Sequence, residues 1–445
     1  MDQAEAGHVL FGLDPLYLST GLLIATYAAI MSEKLNRAIV ALVGGGLMIT
    51  LGMLNQKEAI AGIDFNTLAL LTGMMLIVAI TRRSGLFQYV AIRSVKVARA
   101  SPAGILVMLA IVTAVFSAFL DNVTTVLLVA PVTLGICREL QVKPYPFLAA
   151  EIFASNIGGT ATLIGDPPNI IIGSAAHLTF SDFAVALTPI IIVILLVNCL
   201  LVHLIWGRSM QATPEAKARV MALDHADAIT DMVLLWKSLA VIALVILGFV
   251  AAHAIHMEAG TIALFGAAGL LMLDNIGRSV EEQHHRLIES FNEVEWITIF
   301  FFVGLFIVVA GVERAGLLKL LADWLVRMTE GNLRLTGAAI LWASALLSAI
   351  IDNIPFVATM IPVIKNMAPT FGGDQSLVPL WWALSLGACL GGNGTLIGAS
   401  ANLTVAGIGE RAGVPFRFVE FAKVAFPLML LSVVISHIYL AWRFL

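Results

Sequence analysis

The stretch Ser117–Pro131 (SAFLDNVTTVLLVAP) sets Asp121, Asn122, Thr124 and Thr125 inside a long apolar run. A charge at mid-membrane depth costs at least about 2.5–3.5 kcal/mol, so an aspartate there must be used or satisfied. The stretch also has a twin, Ser348–Pro362 (SAIIDNIPFVATMIP). Ser117, Asp121, Asn122 and Pro131 fall on Ser348, Asp352, Asn353 and Pro362 at one constant offset of 231 residues. Gly85–Lys96 falls on Gly316–Arg327 and Asp64–Thr67 on Glu295–Thr298 at the same offset; Gly158–Asn169 (GGTATLIGDPPN) falls on Gly391–Asn402 (GGNGTLIGASAN) at 233. So many ordered matches describe a chain duplicated within itself.

Composition decides the solvent. With 60% hydrophobic and 12% charged residues and a mean hydropathy of +0.96, the chain is a polytopic membrane protein; soluble chains carry about 25% charged residues. A net charge of −4 leaves no basic footprint for nucleic acid. Cys137, Cys199 and Cys389 are far apart and each lies in or beside an apolar run, which suits core packing and gives no metal-ligand pattern. The N-terminus has no basic segment before its first apolar stretch and reads as an uncleaved start.

Apolar spans are expected at 16–32, 38–55 and 66–81, followed by an amphipathic surface helix over 86–99. From Pro102 to about 136 either a bent span or a re-entrant hairpin fits. Arms of about 16 residues, or about 24 Å of helix, reach mid-membrane and return, and basic flanks at both ends favour the hairpin. A run from Pro146 is broken by Asn156–Asn169, where Gly158, Gly159, Gly165, Pro167 and Pro168 forbid a continuous helix. A span over 184–206 closes the half. The second half repeats the plan: spans at 235–253, 258–274 and 295–312, an amphipathic piece at 316–329, a hairpin at 336–364, a broken span at 377–409 and a span at 421–442.

The expected fold is therefore all-α, with two inverted-topology repeats of five spans and one re-entrant hairpin each, and broken helices at mid-membrane. The first repeat covers 1–206, a cytoplasmic linker 207–231, and the second repeat 232–445. Five crossings turn the second half upside down. With both termini outside, the segments placed inside hold more than twice as many Lys and Arg as those placed outside, as the positive-inside rule requires.

In such a fold the broken elements of both halves meet near mid-membrane. Asn122, Thr124, Thr125, Asn156, Thr160, Thr162, Asn169, Asn353, Asn393, Thr395, Ser400 and Asn402 are the candidate solute ligands; Asp121, Asp166 and Asp352 are the candidate proton or cation carriers. Their oxygens and amides suit protons, hard cations and polar neutral solutes. No Lys or Arg lies in these segments, which points to a proton- or cation-handling site with a neutral substrate. Plainer roles compete. Asn and Thr in membrane helices often only bridge neighbouring helices, and Asp166 before Pro167-Pro168 reads equally as a helix cap. Glu151 and Glu313 lie nearer span ends and are assigned to the membrane interface; His177, His253 and His256 read as loop or boundary residues.

The paired Asp-Asn tips and the NIGGTATLIGDPPN motif with its second-half copy resemble the ArsB/NhaD/P-protein branch of the ion transporter superfamily, over nearly the whole chain. The resemblance implies a scaffold, a moving transport domain carrying the two hairpins, elevator-like alternating access, and no cofactor beyond a transported or coupling proton or sodium. It allows a homodimer and a soluble ATPase subunit as partners, and it implies the inner membrane of a bacterium. The dicarboxylate carriers of the superfamily carry Ser-Asn-Thr at their hairpin tips, where this chain has Leu120-Asp121-Asn122 and Ile351-Asp352-Asn353.

The leading expectation is efflux of arsenite or antimonite, driven by protons or membrane potential. These solutes are largely uncharged hydroxides at neutral pH and suit a hydroxyl- and amide-rich pocket. Sodium/proton exchange on the same aspartates is the alternative, and anion symport is a third. A channel fits inverted hairpins less well than alternating access does. An intramembrane aspartyl protease needs a Gly-x-Gly-Asp context that neither Asp121 nor Asp352 has. The inverted arrangement predicts that single cysteines near Lys57 and Lys365 label from outside, and those near Arg99 and Lys217 from inside. Same-side labelling near Arg99 and Lys365 would refute it.

Overall fold

The computed structural model describes residues 12–445 other than 33 and 223; the uncleaved start expected at the N-terminus lies, through residue 11, outside the described residues. Among the described residues every regular element is a helix. Lipid offers no hydrogen bonds, so a spanning chain must satisfy its backbone internally. The first half runs α1 (Pro15–Met31), α2 (Arg37–Thr50), α3 (Gln56–Ala61), α4 (Phe65–Arg82), α5 (Leu86–Val97), α6 (Pro102–Phe119), α7 (Asn122–Leu140), α8 (Tyr145–Gly159), α9 (Pro167–Ala176) and α10 (Phe180–Ile205). A short α11 (Pro214–Ala222) lies in the connection. The second half runs α12 (Met232–Ile255), α13 (Ala259–Asn275), α14 (Val280–Asn292), α15 (Trp296–Arg314), α16 (Leu317–Met328), α17 (Leu333–Ser348), α18 (Asn353–Lys365), α19 (Ala368–Phe371), α20 (Val378–Gly391), α21 (Ser400–Arg411) and α22 (Phe418–Arg443).

By length and composition, α4, α6, α7, α10, α12, α15 and α22 can each cross a membrane, and α1, α2, α13, α17 and α18 are shorter apolar helices. The protein is thus an integral membrane protein. The inversion is visible in how repeat mates run. Gly62, just before α4, lies against Ala310 near the end of α15. Arg82, at the end of α4, pairs with Glu293 just before α15 at 2.8 Å. The mates α4 and α15 are therefore antiparallel. Each instead runs parallel to a helix of the other half. Between α4 and α13, Gly260 N–H donates to Asn66 Oδ1 (2.8 Å) at one end and Arg83 pairs with Asp274 (2.8 Å) at the other. Between α15 and α2, Arg37 reaches Thr298 at one end (3.3 Å) and Gly311 meets Met48 at the other.

Both hairpins return to the side they enter from. Ala103, at the start of α6, lies against Gly207 after α10, and Arg219 of α11 donates to the Glu139 carbonyl at the end of α7 (3.0 Å). Gly331, before α17, lies beside Thr370 after α18. The first arms have 18 and 19 residues, longer than the expected 16, because α6 runs to Phe119 beside the tip and α7 continues past 136 to Leu140. The twin helices α5 and α16 follow Gly85 and Gly316, both left-handed at φ 83° and 89°, a backbone region open mainly to glycine; this accounts for one of the sequence matches.

Three local readings change. The first break is narrower than Asn156–Asn169, since α8 runs through Asn156 to Gly159. The connection between the spans at 258–274 and 295–312 holds α14, begun by a capping box of Ser279 and Glu282; Ser-Val-Glu-Glu is a legible start signal. Glu151 does not face outward, as a residue placed at a lipid headgroup would. It is fully buried between α7 and α8, and its carboxylate accepts from the Thr133 hydroxyl.

The broken spans lie close to the first hairpin arms. A Cβ on Gly158 would sit 2.1 Å from Ala114 O, and one on its twin Gly391 would sit 2.5 Å from Ala345 O. Gly158→Ala must push α6 from α8, and overpacking of this kind costs about 1–3 kcal/mol. The expected outcome is a lowered Tm in detergent. Gly135→Ala, where nothing lies within 4 Å, should leave Tm unchanged or raise it slightly; equal losses from both would show that α6 and α8 have room to spare.

Candidate functional site

Interrupting a helix frees carbonyls and amides that lipid cannot satisfy. Here twin side chains meet them. Asn169 donates to Thr162 O (2.9 Å) and Thr160 O (3.2 Å), and its Oδ1 accepts from Ser385 (2.5 Å). Its twin Asn402 donates to Thr395 O (2.8 Å) and Gly392 O (2.7 Å). Thr162 donates to Ala118 O (2.5 Å) and Thr395 to Ala349 O (2.6 Å), tying each loop to the tip of its own hairpin. Ser117 and Ser348 do the same for Ser155 O and Ala388 O, both at 2.6 Å. Thr160 turns back on Asn156 O (2.7 Å).

The halves are joined by Asn156. Its Nδ2 donates to Asn393 Oδ1 and Asn402 Oδ1, both at 2.9 Å, and its Oδ1 accepts from Asn122 (3.1 Å). Asn393 also donates to Phe153 O (3.3 Å). Of the expected solute ligands, then, Asn156, Thr160, Thr162, Asn169, Asn393, Thr395 and Asn402 spend these polar atoms on the fold itself. Thr125 is buried, and its hydroxyl has no hydrogen-bond partner among the described residues.

The remaining residues surround a narrow pocket. It is lined by Asp121, Asn122, Asp166, Asn353 and Ser400, together with Arg37, Glu295 and Thr298. Asp121 and Asp352 each sit at a helix N-terminus, where the macrodipole favours a carboxylate. Asp121 accepts from Thr124 N–H (2.8 Å) and from the Thr124 hydroxyl; Asp352 accepts from Ile354 N–H (3.1 Å). Asp166 occupies the N-cap position of α9 but makes no capping bond. Its Oδ1 takes Asn122 (3.2 Å) and Asn353 (3.5 Å), one from each hairpin tip. Its Oδ2 is buried with no hydrogen-bond partner among the described residues.

Three polar pocket side chains come from outside the expected segments. Arg37, at the start of α2, pairs with Asp352 (3.0 Å), donates to the Ser400 hydroxyl, reaches Thr298 (3.3 Å) and lies 5.0 Å from the Phe301 ring centre. Ser400 in turn donates to Asp352 (2.9 Å). Glu295 accepts from Thr298 (3.1 Å). The expectation of a site free of basic residues is therefore corrected: a neighbouring span supplies an arginine. Glu295 and Thr298 were visible as the mates of Asp64 and Thr67. Arg37 has no mate, since α13, the counterpart of α2, holds no Lys or Arg, and in the sequence it reads as a flanking charge.

Two clefts related by the internal two-fold flank the pocket. One of about 320 Å³, lined by Asn36, Arg37, Ile297, Asp352 and Ser400, leads from the α1–α2 loop to the Arg37–Asp352 pair. The other, of about 310 Å³, is lined by Asn66, Ile170, Ser174, His177, His253 and His256 and includes neither hairpin tip. Asn66 bonds Ser174 there at 3.1 Å. The first cleft shares Arg37 and Ser400 with the pocket, and the second shares no lining residue with it.

The citrate transporter family profile, CitMHS, matches residues 27–387. The chain belongs to that family. It is 43% identical over 425 residues to an uncharacterized transporter of Mycobacterium tuberculosis, covering 95% of this chain and 97% of the relative. It is 35% identical to the human P protein over 96% of this chain, and spans 60% of that longer protein. The YdaH transporter of Alcanivorax borkumensis, solved by crystallography and described as having an unusual topology, shares the fold with a TM-score of 0.59 at 15% identity, over 97% of this chain and 99% of that one. The P-protein side of the resemblance is thereby shown, and the chain is a secondary transporter.

The geometry predicts a split between stitching and pocket residues. Asn156→Ala leaves the amide oxygens of Asn393 and Asn402 without their donor, and an unmet buried polar group costs about 1–3 kcal/mol. It should lower Tm clearly. Asp166→Asn keeps size and hydrogen bonding and should leave Tm nearly unchanged while impairing transport. A Tm loss at Asp166→Asn equal to that at Asn156→Ala would erase the distinction.

Proposed function

We propose that this chain exports arsenite or antimonite by alternating access of elevator type, coupled to a proton or sodium carried on Asp121, Asp166 and Asp352. The observation that carries the reading is the unpartnered Asp166 Oδ2, buried where both hairpin tips meet. A bare carboxylate oxygen away from water is strongly disfavoured, so the site calls for a proton or a cation. The solute follows from what else is offered. Asn122, Asn353, Ser400 and Thr298 present amides and hydroxyls, and the one base, Arg37, is neutralised by Asp352. An uncharged hydroxide fits these groups better than a polyanion does. A bacterial inner membrane, with the α1–α2 loop facing the cytoplasm, agrees with the Lys and Arg distribution. In that orientation the cleft reaching Asp352 opens inward, as an exporter awaiting solute requires. A homodimer and an ATPase subunit remain part of the proposal as partners of this transporter class.

One observation favours a second reading. Arg37 places at the pocket a guanidinium, the group that binds carboxylates best, and the family profile is described as a citrate transporter. The test is reconstitution in proteoliposomes with three arms: labelled arsenite, labelled citrate, and sodium-dependent pH change. The expected result is gradient-driven arsenite movement that is lost in Asp121→Asn and Asp166→Asn. Citrate movement with no arsenite movement would replace the first reading by the second. Sodium-driven pH change with neither solute would leave sodium/proton exchange.

A further inference from the structure

The two hairpin tips are twins in sequence and unlike in surroundings. Asp352 meets a guanidinium: Arg37 lies 3.0 Å away, held in place by Ser400, Thr298 and the Phe301 ring. Asp121 meets none. Its carboxylate is bound by Thr124, and the pocket beside it brings two further acids, Asp166 and Glu295. The charged groups lining this pocket are Arg37, Asp121, Asp166 and Glu295, with Asp352 bound to the first of them.

The asymmetry has a source in the chain. Asp352 is contacted from the start of α2 by Arg37, and the counterpart helix α13 begins Ala259-Gly260-Thr261 and contains no Lys or Arg. Duplication therefore produced two carboxylate tips and one base. The pocket beside the first tip is left with an acidic surplus, and in its wall Asp166 Oδ2 is buried with no hydrogen-bond partner among the described residues. A cluster of acids alone would mean little. With an orphaned carboxylate oxygen facing it, the cluster lacks the counter-charge that Asp352 has in Arg37.

We propose that Arg37 is a tethered cation that permanently fills the second of two twin sites, so that each transport cycle carries one exchangeable proton or monovalent cation, held by Asp121, Asp166 and Glu295. This deepens the coupling reading above and rests on it. Arg37 acts through Asp352 and is a positioning residue. Its guanidinium supplies, as part of the chain, the charge that a second free ion would otherwise bring.

The test counts exchangeable cations on the purified full-length chain in detergent. Radioactive sodium retained per chain reads a sodium site, and protons still held at neutral pH and released only on the alkaline side, counted by titration against Asp121→Asn, read a proton site. The expected result is that wild type exceeds Asp121→Asn by one cation in one arm or the other. Arg37→Gln should gain one more, Arg37→Gln with Asp352→Asn should lose that gain, and Arg37→Lys should match wild type. Asp352→Asn alone should leave the count unchanged, a check that holds even if Arg37→Gln fails to fold. A folded Arg37→Gln with no gain, or a cation lost from Asp352→Asn alone, overturns the tethered-cation assignment while leaving coupling at Asp121 standing. No difference between wild type and Asp121→Asn in either arm overturns the coupling reading, and this inference with it.

Discussion

A helix cannot be interrupted inside a bilayer unless protein groups meet the carbonyls it releases, and the centre of this structure is arranged around that demand. Asn169 and Asn402 each hold the loop that precedes them, and Thr162 and Thr395 tie those loops to the hairpin tips. Each such bond is worth only about 1 kcal/mol net. Their importance lies in what their absence would leave: several unmet polar groups in a dry interior. Once the loops are fixed in this way, helix N-termini can point at mid-membrane, and carboxylates can be held there against the cost of burial.

The same arrangement separates two roles that look alike in the sequence. Asparagines and threonines that stitch backbone have donors committed to carbonyls and side chains of the fold. The tip carboxylates Asp121 and Asp352 are bonded, whereas Asp166 between them has an oxygen with no hydrogen-bond partner among the described residues. Polar groups in membrane helices are commonly structural, and here most of the amides are. What sets the pocket apart is the gathering of Asp121, Asp166 and Glu295 around one arginine, which a list of polar residues does not reveal.

Much of the fold was legible because duplication leaves a register. Offsets of 231 and 233 aligned the hairpins, the broken spans and the left-handed Gly85 and Gly316, and odd crossings implied inversion. The pocket was legible in part. Asp121, Asp166 and Asp352 do converge, and the match of Asp64–Thr67 with Glu295–Thr298 already marked the helix start that brings Glu295 in. Arg37 was not legible, because it breaks the repeat and resembles an ordinary span-end charge. The burial of Glu151 was not legible, because nearness to a span end in sequence says little about exposure once α7 packs against α8. The length of α8 was underestimated because Gly158-Gly159 reads as a breaker, whereas those glycines serve close packing against α6.

The Asn156 contact carries an evolutionary consequence. It bridges the two halves, and the position that matches it in the second half is Cys389, whose sulfur faces Asn169 Oδ1, the mate of Asn402, at 3.5 Å. The mated contacts therefore use an amide on one side and a thiol, a much weaker donor, on the other. The halves began as interchangeable copies, and their seam has since drifted from exact symmetry: the strong donor now comes from the first half and the weak one from the second.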